Sequence, residues 1–150
     1  MKSTFTLAVV GVFCAAAHAQ DIQTEKTTSL KVAAELATTA VAAVVDRSGY
    51  LKALHRADNA RPHAIDIAIR KAHTSSMVGY ETRILAENIQ KGTTPASITA
   101  TPGFTSLLGG FPIKAGNEVI GGIGVSGAPG GHLDAACVET ALKAAQSKLN

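Results

Sequence analysis

The 150-residue sequence has few aromatic rings and little excess charge of either sign. It contains no tryptophan, two tyrosines and four phenylalanines, so it offers no platform for stacking bases or sugars. Its net charge of +3 is too small for nucleic-acid binding that depends on phosphate contacts. Hydrophobic residues make up 46% and charged residues 17%, which excludes a disordered chain, a collagen-like fibre and a coiled coil. The composition indicates a small globular domain.

Long apolar runs are also scarce, and the single one lies at the N-terminus. It extends from Phe5 to Ala17, shorter than the roughly 20 residues that span a bilayer. Met1-Lys2 precedes it, and Ala17-His18-Ala19 fits the small-x-small rule of signal peptidase. We therefore expect a signal peptide over residues 1–19, a mature chain that starts at Gln20 and has no membrane span, and a periplasmic or secreted location. An uncleaved N-terminal anchor is the alternative.

Cysteine is nearly absent from the expected mature chain. Of the two cysteines, Cys14 leaves with the signal peptide, so the expected mature chain contains one cysteine, Cys137, and we expect no intramolecular disulfide. Cys137 falls on the apolar side of a predicted helix, where a cysteine acts as a small hydrophobic side chain.

Hydrophobic periodicity predicts helices interleaved with two β-hairpins. The order αββααββα favours a single α+β domain with a central antiparallel sheet flanked by helices. The predicted helices are Leu30–Ala42, Pro62–Val78, Glu81–Lys91 and His132–Leu149, and the predicted strands are Val44–Asp46, Tyr50–His55, Phe111–Ile113 and Glu118–Ser126.

The junction after the first helix is unusual. The helical pattern runs through Ala42 and Ala43 directly into the strand-like Val44, without the connection of several residues that a compact domain needs. Either the first strand is very short, or a segment is missing between Ala43 and Val44.

Two glycine motifs resemble catalytic or cofactor signatures. Gly122–Gly127 matches the dinucleotide pattern G-x-G-x-x-G, but its glycines fall within a strand and no βαβ unit follows. Ser126 lies in a sequence one residue away from the nucleophile motif G-x-S-x-G, whose parallel sheet this chain is too short to form. We expect neither NAD binding nor a hydrolase, and we assign no catalytic residue. Strand glycines instead permit close approach of another backbone or a flat ligand.

Histidines and basic residues gather around the second predicted helix. His63, Asp66, Arg70 and His73 share one of its faces, and His55 precedes it. The sequence contains no set of residues spaced to bind a metal ion through protein ligands alone. A haem, however, needs only one or two axial ligands, and nearby cations can pair with its propionates. Each histidine alone could equally be a solvated surface residue. The candidate cations are Arg56, Arg61, Arg70 and Lys71.

Two long segments resemble the haem-binding GlcG/HbpS family. The first comprises VVDRSGYLKALHRAD at residues 44–58 and IAIRKAHT at 67–74. The second comprises FPIK at 111–114 and IGGIGVSGA at 120–128, and residues 134–142 follow the family's ending. A similar domain follows some PduO-type cobalamin adenosyltransferases. The resemblance implies one such domain over residues 20–150, an antiparallel α/β sandwich and a homo-oligomer, often an octamer. Members normally carry extra residues before the VVD motif, which suggests a deletion of about a dozen residues here.

The resemblance implies an exported haem-binding protein for haem sensing, storage or handling. We expect His63 to be the iron ligand, with His55 and His73 as further candidates, and Arg70 and Lys71 to assist binding. The alternative is an accessory protein or enzyme of small 2-hydroxy acid metabolism, whose pocket would use Arg47 or Arg70 against a carboxylate. A third possibility is a structural oligomer without a ligand.

Overall fold

The computed structural model describes residues 39–145 as one antiparallel sheet with helices on both faces. The sheet order is β2-β1-β4-β3. The elements, in chain order, are β1 (Val41–Asp46), β2 (Leu51–Arg56), α1 (His63–Val78), α2 (Thr82–Gln90), a 3₁₀ helix (Ala96–Ala100), β3 (Gly110–Ala115), β4 (Glu118–Ser126) and α3 (Gly131–Ala145). None of the helices in this part of the chain has the length and apolar character needed to cross a membrane.

Strand β1 lies in the interior of the sheet and pairs on both sides. Val41 pairs with Arg56 of β2 and with Ser126 of β4, and both ladders continue along the strand. The predicted helix up to Ala42 is therefore wrong at its end, because Val41 and Ala42 are extended. Ala40 alone separates helical Thr39 from β1, and the residues of that predicted helix before Thr39 lie outside the described residues.

The expected junction between Ala43 and Val44 lies inside β1 and contains no break. Consecutive pairs join Ala43 to Leu54 and Val44 to Ala53. Alanine favours helices in isolation, but burial in a sheet overrides this preference, so the strand is six residues long. The deletion relative to other family members remains a prediction.

The other predicted elements are confirmed with small shifts at their ends. Strand β2 starts at Leu51 because the Asp46 carboxylate accepts hydrogen bonds from the N–H groups of Ser48 and Tyr50, which extends the turn. The long connection after α2 contains a 3₁₀ helix, and α3 begins one residue before the prediction. The predicted end of the last helix, Leu149, lies outside the described residues.

The two faces of the sheet bury different helices. On one face, α1 covers Val41 and Ala43 with its alanines. On the other face, α3 covers Val44, Ile123 and Val125. Small side chains on the α1 side bring this helix very close to the sheet.

Two glycines of β4 make this close approach possible. A Cβ at Gly122 would contact the carbonyl oxygen of Ala72, and one at Gly124 would contact that of Ala68. Gly122 and Gly124 of the G-x-G-x-x-G motif thus lie within a strand, as the sequence predicts, and they accommodate the backbone of α1, whereas Gly127 follows the strand.

We expect Gly124→Ala to destabilise the fold by about 1–3 kcal/mol, the usual cost of overpacking. The added methyl group would lie 2.6 Å from the Ala72 nitrogen and 2.9 Å from the Lys71 Cβ, so α1 must move. Urea denaturation measures the change, with Lys114→Ala on the exposed part of β3 as the control. Equal stability of the two variants would contradict this account of the packing.

Candidate functional site

A cavity of about 750 Å³ lies where the N-terminal ends of α1 and α3 meet the end of β4. This volume is in the range of small-molecule and cofactor sites. Four segments contribute its lining, which mixes apolar and basic side chains. The lining residues are Thr39, Asn59, Arg61, His63, Ala64, Ile67, Lys71, Leu107, Leu108, Ser126, Gly127, Ala128, Pro129, Gly131, His132 and Asp134.

Two imidazoles and a guanidinium line the cavity at the ends of two helices. His63 is the first residue of α1, with Arg61 just before it, and His132 is the second residue of α3. All three residues are exposed. A helix N-terminus carries partial positive charge, so both helices add to the positive potential of the side chains there. The arrangement suits a ligand with acidic groups and an atom that binds imidazole nitrogen.

A buried ion pair forms the innermost part of the lining. The Nζ of Lys71 lies 2.8 Å from Oδ2 of Asp134 and donates a second hydrogen bond, 2.7 Å long, to the carbonyl of Val125. The other carboxylate oxygen, Oδ1, accepts the N–H of Ala128 at 3.0 Å. The two charged side chains are 3% and 5% exposed, so both are removed from water.

Burial shifts the pKa of both partners towards their neutral forms. It lowers the pKa of Lys71, although the hydrogen bond and the charge of Asp134 oppose the shift. It raises the pKa of Asp134 against the opposing effects of Lys71, the Ala128 N–H and the positive charge of His132. Desolvation therefore outweighs mutual attraction, as is common for buried pairs.

The structure brings only two of the five predicted site residues to the cavity, His63 and Lys71. His55 is exposed on β2, which forms an edge of the sheet, and Arg70 forms an exposed ion pair with Asp66. His73 lies further along α1, with Nδ1 3.3 Å from the carbonyl oxygen of Gly49 and its ring edge-on to Phe104. These three residues do not line the cavity. Arg70 and His73 lie on a part of the α1 surface that does not face the cavity, and His55 lies on β2.

The sequence predicts that Lys71 could pair with a propionate of the ligand, and the structure places it in the cavity lining. Its ammonium group is already bonded to Asp134 and Val125. Sequence periodicity placed it beside Arg70, and no local pattern reveals that a partner on the last helix buries it.

His132 lines the cavity but is not among the five predicted site residues. The Gly130-Gly131 pair before a helix indicates that His132 lies at a helix N-terminus, but only the fold brings the first turn of α3 to the same cavity as α1. The apolar lining from Leu107 and Leu108 was equally hidden, because it belongs to an irregular connection.

The donor groups do not form a protein-only metal site. Within residues 39–145, no three His, Cys, Asp or Glu side chains are grouped so that they could hold a metal ion. Ser126 lies at the buried end of β4, on an antiparallel sheet without the parallel arrangement that a nucleophile elbow requires.

The fold defines a single-domain α+β protein with an open four-stranded antiparallel sheet, as the sequence predicts. A family model described as "Haem degrading protein HbpS-like" matches residues 15–143. The chain therefore belongs to the HbpS-like family, which confirms the GlcG/HbpS resemblance.

Relatives agree with this assignment. Protein GlcG of Escherichia coli strain K12 is 42% identical over 84 residues, which cover 56% of this chain and 61% of GlcG. The chain thus matches less than two thirds of that relative's length. A solved double mutant of HbpS from Streptomyces reticuli has a TM-score of 0.67 at 33% identity, covering 79% of this chain and 82% of that one. Protein ORFY of Klebsiella pneumoniae has a TM-score of 0.72 at 27% identity, covering 92% and 88%.

We expect Lys71→Met to destabilise the protein by about 3–5 kcal/mol near pH 7, because it leaves a buried carboxylate without its cation. Lys71 opposes the rise that burial causes in the pKa of Asp134, so its removal raises that pKa further in the variant than in the wild type. A group with a raised folded-state pKa favours the folded state most at low pH and loses this effect as the pH rises through that pKa. The deficit relative to the wild type should therefore shrink as the pH falls from 7 towards 5.

Urea denaturation of both proteins across this pH range measures the deficit. Lys143→Met, on the exposed side of α3, is the matched control and should show no such trend. A deficit that stays constant or grows on acidification would contradict the assigned burial of Asp134.

Proposed function

We propose that this protein binds haem in the cavity between the N-terminal ends of α1 and α3. The observation that carries the proposal is the placement of His63 and Arg61 at one cavity that also has apolar side chains. A neutral imidazole nitrogen is a common axial ligand of haem iron, and a guanidinium pairs well with carboxylates. The imidazole would thus suit the iron, the guanidinium the propionates, and the apolar side chains the macrocycle.

The donor set fits haem better than a bare metal ion. The porphyrin supplies four nitrogens of its own, so the protein needs to provide only one or two ligands. His63 would hold the iron, and Arg61 would orient the acidic edge of the ring. Ile67, Leu107 and Leu108 would contact the macrocycle and exclude water from it. When bound, the haem supplies an iron centre whose reactivity depends on its axial ligand and surroundings.

The family supports this proposal independently. Its description names a haem-degrading protein, and HbpS of Streptomyces reticuli has the same fold at 33% identity. Common descent makes a shared class of ligand the simplest expectation for a cavity of suitable size and chemistry.

The cavity favours haem over a small 2-hydroxy acid. Arg47 and Arg70, the residues expected to bind such a carboxylate, do not line it. Each is paired with an acidic side chain, Arg47 with Glu118 and Arg70 with Asp66. A small acid would also leave the side chains of Leu107 and Leu108 uncovered, whereas a flat apolar ring would bury them.

Export and assembly into a homo-oligomer, such as the octamer that the family resemblance implies, complete the proposal. Export depends on the features of residues 1–19, and assembly depends on the family resemblance. Both describe where and in what form the protein would meet haem.

We expect haemin titration of the purified protein to give a saturable shift of the Soret band at about one haem per chain. His63→Ala should change the spectrum and weaken binding, because the iron loses its axial ligand. His55→Ala is the matched control, since His55 is exposed and does not line the cavity. Absorption spectroscopy measures all three proteins, after light scattering has established their oligomeric state.

Two results would contradict the proposal at different points. A folded wild-type protein without a saturable shift would refute haem binding. A spectrum and affinity unchanged in His63→Ala would refute the ligand and leave haem binding intact.

We expect the exported form to begin at Gln20 because signal peptidase prefers small residues at Ala17 and Ala19. Expression of the full chain in a Gram-negative host, fractionation and mass spectrometry of the intact protein test this. Ala19→Leu should block processing, and Ala8→Leu is the control within the apolar run. A full-length chain in the cytoplasmic fraction would contradict the export proposal.

A further inference from the structure

The Lys71–Asp134 ion pair joins four segments around the cavity by hydrogen bonds and packs against a fifth. Lys71 comes from α1, and its ammonium bonds the end of β4 through Val125. Asp134 comes from the first turn of α3, and its carboxylate bonds the loop after β4 through Ala128. The fifth segment ends at Gly109, where a Cβ would lie 2.7 Å from the Asp134 Cβ and 3.2 Å from the Lys71 Nζ.

Stability is a poor explanation for such a pair. Burying two charges costs about as much as their attraction returns, and apolar side chains of similar volume often stabilise a protein equally well. Charged hydrogen bonds are directional, however, whereas apolar contacts tolerate sliding. A buried pair with every carboxylate oxygen engaged therefore fixes the relative position of the segments that it joins.

His132 is the cavity histidine on the segment that Asp134 anchors. It lies two residues before Asp134, in the same first turn of α3. Its ring rests against the Cα of Gly130, where a Cβ would come within 2.7 Å of the ring carbon Cε1 and 2.9 Å of Nδ1. Because Gly130 has no side chain, the His132 ring can lie against its backbone. The position of the ring then depends on the segment that Asp134 anchors.

We propose that the Lys71–Asp134 ion pair is a positioning element of the ligand site, which holds the first turn of α3 so that His132 lines the same cavity as the α1 residue His63. His132 then acts on the same ligand as His63, from a different helix. The proposal rests on the proposed function for the identity of that ligand, but the placement of His132 can be measured without it.

The experiment replaces the pair by apolar side chains of similar size, in Lys71→Met/Asp134→Leu. This double variant leaves no buried charge unpaired, so it should fold with a cooperative thermal transition. NMR cross-peaks of the imidazole rings report the positions of the histidines without ligand. We expect the His132 cross-peak to shift and the His55 cross-peak to stay. Haemin affinity should fall by about 10–100-fold, the usual effect of losing a residue that orients a ligand.

Two further variants separate positioning from general destabilisation. Gly130→Ala leaves the ion pair intact but displaces the His132 ring, so it should reproduce the loss of haemin affinity. Arg83→Gln breaks an exposed ion pair with Glu87 on α2 and should change neither the His132 cross-peak nor the affinity. If the double variant does not fold, Asp134→Asn, which keeps the shape of the side chain and removes its charge, tests whether the His132 cross-peak shifts when the ion pair is lost.

The outcomes distinguish this inference from the proposed function. A wild-type protein that takes up no haemin would refute haem binding, while a shifted His132 cross-peak would still support positioning. A folded double variant with an unchanged His132 cross-peak would overturn positioning. A haemin affinity that falls in the double variant but not in Gly130→Ala would also overturn positioning, because the loss of affinity would then not depend on His132.

Discussion

The close contact between α1 and β4 is the constraint on which the rest of this structure depends. Gly122 and Gly124 let the helix backbone lie directly on the strand, and the small side chains of the facing helix turn, such as Ala68, keep it there. This contact carries Lys71 to the end of β4, where its ammonium reaches Val125 and Asp134. A larger residue at either glycine would move α1 outwards, and the ion pair and the α1 side of the cavity would move with it.

The cavity lies where the layers of the fold end. Helices α1 and α3 pack on opposite faces of the sheet, and their first turns reach past the end of β4 without a strand between them. The same geometry brings two helix N-termini, and hence partial positive charge, to one place. Apolar lining, imidazoles and positive potential thus arise from the architecture together. This combination suits the proposed ligand, haem, which is flat, contains iron and carries two carboxylates.

Local patterns predicted most of the fold and less than half of the site. Turn chemistry at Ser48-Gly49 and helix periodicity after Pro62 depend on neighbouring residues, and both were correct. The stretch Val41–Ala43 failed because alanines satisfy a helical pattern equally well, and only pairing with β2 and β4 makes it a strand. His63 was found because it begins a helix. The burial of Lys71 and the contribution of His132 depend on the first turn of α3 meeting α1 at the end of β4, which no local signal encodes.

The order of the strands also governs how the molecule can form. The central pair of the sheet is β1 with β4, which come from opposite ends of the described chain, whereas each hairpin joins neighbours in sequence. Closing the loop between such distant strands costs chain entropy before any contact compensates for it, and this slows folding. Until β4 emerges from the ribosome or a translocation channel, β1 has one unpaired edge and α1 lacks its glycine surface. The nascent chain therefore needs protection from edge-to-edge association until its last quarter arrives.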